Sequence, residues 1–208
     1  MKLYYAPGTC SLSPHIVARE AGISLELERV DIGKSPHRTK TGTDFSTINP
    51  KGYVPALRLD DGKLLTEGVA IVQFLADLAP QLGLAPAAGT IERYRLQEWL
   101  TFISSELHKM FSPWLFHPEL GEVAAAAARQ KIAERFAFLD TELAAQPYLM
   151  GNGFTVADAY AFTIVGWSRP AHIDLAPFPH LRSYMERIGA RPKVQEALHA
   201  EGLRKAVA

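Results

Sequence analysis

The chain has 208 residues, of which 48% are apolar and 21% are charged, a composition that is ordinary for globular proteins and argues against long disordered segments. Its 22 lysine and arginine residues balance 22 aspartate and glutamate residues, and the balance holds on each side of residue 80, with nine of each sign before it and thirteen of each after it. A protein that binds the phosphate backbone of nucleic acids needs a basic excess or a basic patch, so the composition argues against that class of function.

The N-terminal region opens with the pattern of a βαβ unit. Residues 1–5 and 25–30 are predicted strands, the first apolar and the second alternating between apolar and charged residues. Between them, Ser13-Pro14 begins a helix that Gly22 ends. Because strand, helix and strand follow one another within about 30 residues, the two strands are expected to lie parallel.

A β-hairpin and a helix complete this region. Residues 55–59 and 63–66 are predicted strands on either side of Asp60-Asp61-Gly62, and Asp-Gly between apolar runs is a strong hairpin signal. Apolar residues at helical spacing predict a helix over residues 69–78. The order is β-α-β, an irregular stretch and then β-β-α, which is the plan of a thioredoxin-like domain. We assign this domain to residues 1–80.

Beyond a linker rich in proline and glycine, at residues 81–90, the periodicity is purely helical. The predicted helices cover residues 92–112, 123–144, 154–168, 179–188 and 192–200. The third of these is apolar on all sides, which is typical of a core helix, and Thr155 and Asp158 at its start form a capping-box pattern. The predicted fold therefore combines an α/β, thioredoxin-like domain with an all-helical domain over residues 91–208.

Cys10 lies between the first predicted strand and the first predicted helix. At a helix N-terminus the dipole and the free backbone N–H groups favour a thiolate, so this placement indicates a reactive thiol rather than a small buried side chain. Ser13 stands where the second cysteine of a Cys-x-x-Cys motif would be. Because the chain has no other cysteine, Cys10 can only exchange with, or form a hydrogen bond to, a thiol from another molecule.

Two other segments of this domain could contact a ligand. A cis peptide at Val54-Pro55, which opens the third predicted strand, would expose the Val54 N–H and C=O to a ligand backbone; the alternative is a trans proline that starts an edge strand. Glu67-Gly68 begins a predicted helix whose N–H groups could bind a carboxylate while Glu67 pairs with an ammonium group. The alternative for Glu67 is an acidic first-turn residue that complements the helix dipole.

His108 is the histidine that we single out from the seven in the chain, because it follows Glu106 in a long helix that is rich in aromatic residues. It could donate a hydrogen bond to a sulfur or act as a general base; the alternative is a partly exposed helix histidine. The spacing of His108 and His117 differs from that of paired metal ligands on a helix, so no metal site is expected.

Five segments, taken together and in order, resemble the bacterial glutathione S-transferases, most closely their beta class. The segments are Cys10-Ser-Leu-Ser, Asn49-Pro-Lys-Gly-Tyr-Val-Pro55-Ala-Leu, Leu65-Thr-Glu67-Gly-Val-Ala-Ile, Glu106-Leu-His108-Lys109 and Phe154-Thr-Val-Ala-Asp158-Ala-Tyr160. The resemblance extends over essentially the whole chain. It implies a thioredoxin-like domain that binds glutathione, a helical domain that lines a hydrophobic electrophile site, and a homodimer.

The resemblance also implies roles for individual residues. Cys10 and His108 are the implied catalytic residues: Cys10 would face the glutathione sulfur, with which it can form a mixed disulfide, and His108 would approach the thiol from the helical domain. The other implied glutathione contacts are Ser11, Lys34, Val54, Pro55, Glu67, Gly68, Thr101 and Ser105. The implied lining of the electrophile pocket is Phe111, Trp114, Phe116 and Trp167.

Some of these implied contacts can be stated more closely. Val54 would pair with the cysteinyl backbone of glutathione, and Glu67 and Gly68 would hold its γ-glutamyl end. Lys34 and His37 are alternative partners for the glycyl carboxylate. Thr101 replaces the asparagine that the family pattern has at this position. Near the sulfur, Tyr4, Tyr5 and Ser11 are further candidates, because other classes of the family use tyrosine or serine there.

The predicted activity is conjugation of the glutathione thiolate to hydrophobic electrophiles, in detoxification, with thiol-disulfide exchange through Cys10 as a side activity. The alternatives are a glutathione-dependent thiol-disulfide oxidoreductase or peroxidase, and a non-catalytic relative that binds glutathione or another ligand. Glutathione would be a co-substrate, and no cofactor is expected. The absence of an apolar run of roughly 18–20 residues, the N-terminus unlike a signal peptide and the lone cysteine predict a cytoplasmic protein without membrane partners.

Overall fold

The computed structural model describes residues 1–203. The chain forms two compact units, one built from residues 1–84 together with the described residues from Arg191 onward, and the other from residues 85–190. This division differs from the predicted helical domain of residues 91–208 at its C-terminal end. The physical reason is that the last helix packs against the first helix of the chain.

The first unit is a mixed five-stranded sheet with helices. Its elements are β1 (Lys2–Tyr5), α1 (Leu12–Glu20), β2 (Glu26–Asp31), β3 (Arg38–Thr39), β4 (Ala56–Arg58), β5 (Leu64–Thr66), α2 (Gly68–Asp77) and the C-terminal helix, which is α8 in chain order (Pro192–Ala200). The strand order is β3-β2-β1-β4-β5; β1 and β2 are parallel and the other neighbouring pairs are antiparallel. The predicted thioredoxin-like plan is confirmed. The two-residue strand β3, in the stretch predicted to be irregular, is too short to produce a periodic pattern.

The C-terminal segment is fixed to the first unit by charged side chains. Arg191 forms a bidentate ion pair with Glu20 of α1, with nitrogen–oxygen distances of 2.7 and 2.8 Å. The buried carboxylate of Glu201 accepts hydrogen bonds from the Gly8 N–H and from His15 Nδ1, each at 2.9 Å. Glu201 therefore links the C-terminal segment to α1 and to the loop that carries the cysteine.

The second unit is helical. Its elements are α3 (Ile91–Phe102), a π-helical segment (Ile103–His108), α4 (Lys109–Phe111), α5 (Glu122–Ala145), α6 (Val156–Val165) and α7 (Pro179–Gly189). The helical stretch predicted over residues 92–112 is confirmed as far as Phe111, but its π-helical segment was not expected. Nine of the ten residues of α6 are buried, which confirms the predicted core helix.

The capping box at the start of α6 is also confirmed. Asp158 Oδ2 accepts hydrogen bonds from Thr155 N and Oγ1, and Asp158 Oδ1 accepts them from Leu149 N and Tyr184 Oη. Burial raises the pKa of Asp158, although these hydrogen bonds oppose the shift. The carboxyl group thus joins its own helix to the preceding loop and to α7.

Within residues 1–203, the helices are too short or too polar to span a membrane. The same residues contain no group of three or more histidine, cysteine, aspartate or glutamate side chains arranged to hold a metal ion.

Candidate active site

The first unit places Cys10 against Val54. The Cys10 Sγ donates a hydrogen bond to the Val54 carbonyl oxygen at 3.3 Å, although 44 residues separate the two along the chain. The sheet explains this approach. In the antiparallel pair β1 and β4, Tyr4 lies opposite Ala56, so the loop that leaves β1 and the loop that enters β4 meet at the same end of the sheet.

The loop that carries Cys10 is organised by two hydroxyl groups. Ser11 Oγ accepts a hydrogen bond from Ala6 N and donates one to Ala6 O, each at 3.1 Å. Thr9 Oγ1 lies 2.8 Å from Ser11 Oγ. Ser11 is fully buried, so its hydroxyl group is engaged within the loop. Tyr4 is also buried, and its ring packs in the core against Phe45 at a centroid distance of 5.7 Å.

Tyr5, the other tyrosine considered near the sulfur, is half-buried. Its ring lies 6.3 Å from that of His15, between centroids. Burial raises the pKa of the Tyr5 hydroxyl, and the negative charge of Glu201 raises it further. At neutral pH the hydroxyl is therefore protonated.

The loop that leads to Val54 is built around the buried Asn49. Its Nδ2 donates to the Tyr53 carbonyl at 2.7 Å, its Oδ1 accepts from Lys51 N at 3.1 Å, and its own carbonyl accepts from Gly52 N at 2.8 Å. Gly52 has a φ of +79°, which favours glycine at this turn. Asn49 was part of a recognised segment, but sequence reasoning gave it no role; the Asn-Pro-x-Gly turn pattern is the signal for it.

The Val54-Pro55 peptide bond is cis, as the fold context predicted. The Val54 carbonyl accepts the bond from Cys10, whereas no group in residues 1–203 accepts a hydrogen bond from the Val54 N–H. Val54 is nevertheless only 5% exposed. A buried backbone donor of this kind normally has a partner, so it is a natural position for a ligand acceptor.

Glu67 has an unusual backbone conformation at the start of α2. Its φ is +70°, which is uncommon for a residue with a side chain and costs on the order of 1–3 kcal/mol. Such a conformation persists only where the surrounding structure enforces it, and residues of this kind are concentrated at active sites and ligand-binding sites. Gly68, the first residue of α2, lies beside Pro55: a Cβ added to it would be 3.7 Å from the Pro55 ring.

Lys51 and Tyr53 accompany the Glu67 carboxylate, and sequence reasoning assigned neither of them. Lys51 Nζ lies 2.6 Å from Glu67 Oε1 and 3.0 Å from Thr66 Oγ1, and the Tyr53 hydroxyl lies 3.5 Å from the same carboxylate oxygen. The hydrogen bond to Glu67 is the main reason why the pKa of Lys51 is raised. These side chains form an exposed polar cluster around the N-terminus of α2.

The two candidates for a glycyl carboxylate lie in the loop between β2 and β3. His37 Nδ1 is 2.8 Å from the Gly52 carbonyl oxygen, so His37 connects this loop to the Asn49 loop. Lys34 is exposed.

In the second unit, His108 lies at the end of the π-helical segment and contacts two aromatic residues. Its Nδ1 is 2.7 Å from the Tyr160 hydroxyl, and its ring meets that of Trp167 edge to face at a centroid distance of 4.9 Å. Burial, together with the nearby positive charge of Lys109, lowers the pKa of His108 to about 4. The imidazole is therefore neutral at physiological pH.

Thr101 and Ser105 are exposed on the helix that leads to His108. The Thr101 carbonyl accepts hydrogen bonds from the hydroxyls of Ser104 and Ser105, at 3.0 and 2.9 Å. Both residues predicted to contact the ligand are thus exposed to solvent, although the Ser105 hydroxyl donates its hydrogen bond within its own helix.

The four residues predicted to line an electrophile pocket differ in exposure. Phe111 is fully buried against Phe136 and Trp167, so it exposes no surface of its own and serves as a core residue. Trp114 and Phe116 are exposed, by 37% and 40%, and the Phe116 ring lies 5.5 Å from that of Trp167. Trp167 is buried, with 9% of its surface exposed, so Trp114 and Phe116 present most of the aromatic surface that an apolar ligand could contact.

The low pKa of His108 predicts how stability depends on pH. An unfolded chain protonates this histidine near pH 6.5, whereas the folded chain does so near pH 4, so the free energy of unfolding should fall as pH decreases through this window. The full shift corresponds to about 3 kcal/mol. Urea unfolding of the wild type and of His108→Asn between pH 7 and pH 4 measures the difference. The exposed His180→Asn serves as the control and should keep the wild-type slope; an unchanged slope in His108→Asn would contradict the prediction.

Comparison with known proteins agrees with this arrangement. Residues 8–78 match the family model of the glutathione S-transferase N-terminal domain, and residues 97–192 match that of the glutathione S-transferase C-terminal domain. The chain is 44% identical over 204 residues to glutathione S-transferase GstA of Escherichia coli O157:H7, covering 98% of this chain and all of that protein. The chain belongs to the glutathione S-transferase family.

Solved structures place it more closely within the family. The beta class glutathione S-transferase of Sphingomonas chungbukensis is 45% identical to this chain, with a TM-score of 0.93. The match covers 98% of this chain and the whole of the Sphingomonas chain. A sphingomonad glutathione S-transferase in complex with glutathione is 47% identical, with the same TM-score and the same coverage. The predicted resemblance to the bacterial beta class is thus confirmed.

Proposed function

We propose that this protein conjugates the thiolate of glutathione to hydrophobic electrophiles. The observation that carries the proposal is the arrangement in the first unit, where the Cys10 thiol lies 3.3 Å from the carbonyl of Val54, next to a Val54 N–H without an acceptor in the described chain. An extended peptide with a central thiol fits such a site, because its backbone can pair with Val54 while its sulfur faces Cys10. Glutathione S-transferase relatives, one of them in complex with glutathione, support this choice of ligand.

The polar cluster at the start of α2 fits the γ-glutamyl end of glutathione. The N–H groups at a helix N-terminus favour a carboxylate, and the carboxylate of Glu67 favours the adjacent ammonium group. The Lys51 ammonium group lies 2.6 Å from the Glu67 carboxylate. When the ligand binds, Lys51 would give up part of this contact and contact the ligand instead. Lys34 or His37 would meet the glycyl carboxylate, and His108, Thr101 and Ser105 are further proposed contacts.

Conjugation on this site needs a stabilised thiolate and a bound electrophile. Backbone N–H groups, hydroxyl groups and a neutral histidine supply fixed donors, and binding both reactants supplies proximity. Trp114 and Phe116 offer exposed aromatic surface for the electrophile, and the buried Trp167 packs against Phe116. We further propose a homodimer in the cytoplasm that acts in detoxification, with glutathione as co-substrate and no cofactor.

Thiol-disulfide exchange through Cys10 is the proposed side activity. The Cys10 thiolate would attack a glutathionylated disulfide, forming a mixed disulfide with glutathione and releasing the other thiolate. A second glutathione thiolate would then attack the mixed disulfide, which gives oxidised glutathione and restores the Cys10 thiolate. The chain has one cysteine, so glutathione must supply the resolving thiol.

Replacing Cys10 by alanine separates the two activities. The variant is expected to retain conjugation, because the attacking sulfur belongs to glutathione, and to lose disulfide exchange completely, because the only protein thiol is removed. The measurements are conjugation rates with a panel of electrophiles, exchange rates with a glutathionylated substrate, and mass spectrometry of the mixed disulfide. Retained exchange in Cys10→Ala would contradict the monothiol route. Failure of the wild type to bind immobilised glutathione and to conjugate any electrophile would overturn the proposed function as a whole.

A further inference from the structure

The hydrogen bond between His108 and Tyr160 has chemical consequences for the histidine. Tyr160 belongs to the buried helix α6 and is only 4% exposed, and its hydroxyl lies 2.7 Å from His108 Nδ1. The Trp167 ring, edge to face with the imidazole at 4.9 Å, packs against the histidine from another direction. The imidazole is therefore held in one orientation by a hydrogen bond and an aromatic contact.

A contact of 2.7 Å between these atoms requires a proton, and the two groups differ in their ability to supply it. The phenol is the stronger acid, and the imidazole nitrogen is the stronger hydrogen-bond acceptor, so the favoured arrangement has Tyr160 O–H donating to Nδ1. Burial keeps the His108 ring neutral at physiological pH, so the ring carries one proton. With Nδ1 acting as the acceptor, that proton is on Nε2.

We propose that Tyr160 is a positioning residue that holds His108 in the Nε2–H tautomer, so that His108 serves the reaction as a neutral hydrogen-bond donor and not as a general base. This inference rests on the proposed function for its ligand. A general base needs a ring nitrogen with an available lone pair, but the Nδ1 lone pair accepts the Tyr160 proton and Nε2 carries a proton of its own. A fixed neutral donor stabilises an anionic sulfur without reorganising during the reaction.

The tautomer can be measured without any ligand. In the full-length protein labelled with ¹⁵N-histidine, the nitrogen chemical shifts and couplings to the ring protons distinguish Nε2–H from Nδ1–H at pH 7. We expect His108 to show the Nε2–H pattern in the wild type and a mixture of both tautomers in Tyr160→Phe. An Nδ1–H pattern in the wild type, or an unchanged pattern in Tyr160→Phe, would overturn the inference whether or not the protein is a transferase.

The kinetic consequence is tested by a double-mutant cycle. Tyr160→Phe should lower kcat/KM for glutathione conjugation by roughly 3- to 10-fold, the range expected for loss of one orienting hydrogen bond, and should displace the rising limb of the pH–rate profile to higher pH. In a His108→Ala background the same change should have no further effect, because Tyr160 acts through His108. The exposed Tyr94→Phe is the matched control and should match the wild type.

The outcomes separate the inference from the proposed function. Equal losses from Tyr160→Phe with and without His108 would show that Tyr160 acts by another route and would overturn the inference. An unchanged pH–rate profile in Tyr160→Phe would overturn the donor role. Absence of conjugation in the wild type would overturn the proposed function and, with it, the donor role, whereas the tautomer would still be decided by the nitrogen spectra.

Discussion

Replacement of Glu201 by alanine is expected to lower the free energy of unfolding by about 2–6 kcal/mol, because two hydrogen bonds to a buried acceptor are lost at about 1–3 kcal/mol each. The carboxylate is fully buried and accepts hydrogen bonds from two groups that are distant in sequence, the Gly8 N–H and His15 Nδ1. Without it, both groups would lose this acceptor. Urea unfolding monitored by circular dichroism measures the loss.

Two controls test this explanation of the Glu201 effect. Glu201→Gln should cost much less, because one amide can accept from the Gly8 N–H and donate to His15 in its other tautomer. Glu196→Ala removes an exposed acid that pairs with Lys193 on the same helix and should change stability by no more than about 0.5 kcal/mol. A loss below about 1 kcal/mol in Glu201→Ala would contradict the assignment of Glu201 as the buried link.

The destabilisation caused by Glu201→Ala should extend to the loop that carries Cys10. Gly8 is two residues from Cys10 and has a φ of +72°, and a Cβ at this position would approach the Leu203 side chain to 3.3 Å. Release of the Glu201 contact therefore frees the loop on the side that faces the C-terminal segment. Faster amide hydrogen exchange at residues 8–12 in Glu201→Ala, with an unchanged rate in Glu196→Ala, is the expected signature.

Replacement of Asp158 by alanine should have an effect of similar size in the second unit, at least about 3 kcal/mol, because it leaves several buried donors without an acceptor. The carboxyl group accepts hydrogen bonds from the N–H groups of Leu149 and Thr155 and from the hydroxyls of Thr155 and Tyr184. A helix cap on its own contributes about 1 kcal/mol. The larger expected loss comes from the contacts to the preceding loop and to α7.

Asp158→Asn distinguishes these contributions. Its Oδ1 can keep the bonds from Leu149 and Tyr184, while its NH₂ group faces the Thr155 N–H, so its loss should be smaller than that of alanine. The exposed Glu134→Ala, on α5 of the same unit, is the surface control and should lie within about 0.5 kcal/mol of the wild type. Equal losses for asparagine and alanine would contradict the contribution of the contacts to Leu149 and Tyr184.

Several elements could be predicted from the sequence because their causes are local. The turn after β4 follows from Asp60-Asp61-Gly62, where Gly62 has a φ of +85°. The start of α6 follows from Thr155 and Asp158, three residues apart, which form the predicted capping box. The burial of α6 follows from its apolar residues on every side.

Only part of the candidate site could be predicted from the sequence. Cys10, Val54 and Glu67 were identified through the fold plan and the family resemblance, and the cis peptide before Pro55 was expected only in that context. Lys51 and Tyr53, which accompany the Glu67 carboxylate, carry no local signal, because an exposed lysine or tyrosine occurs in many surfaces. The two-residue strand β3 and the π-helical segment before His108 likewise have no periodic signature.

The sequence by itself determined the class of the protein: a neutral two-part chain with a thioredoxin-like start, a helical remainder, one cysteine and the segments of a glutathione S-transferase. Only the tertiary structure decided which groups meet. The pairs that matter most are 44 residues apart for Cys10 and Val54, 52 for His108 and Tyr160, and 193 for Gly8 and Glu201. The physical reason is that periodicity and capping depend on spacings of a few residues, whereas these contacts depend on how sheet and helices pack once they have formed.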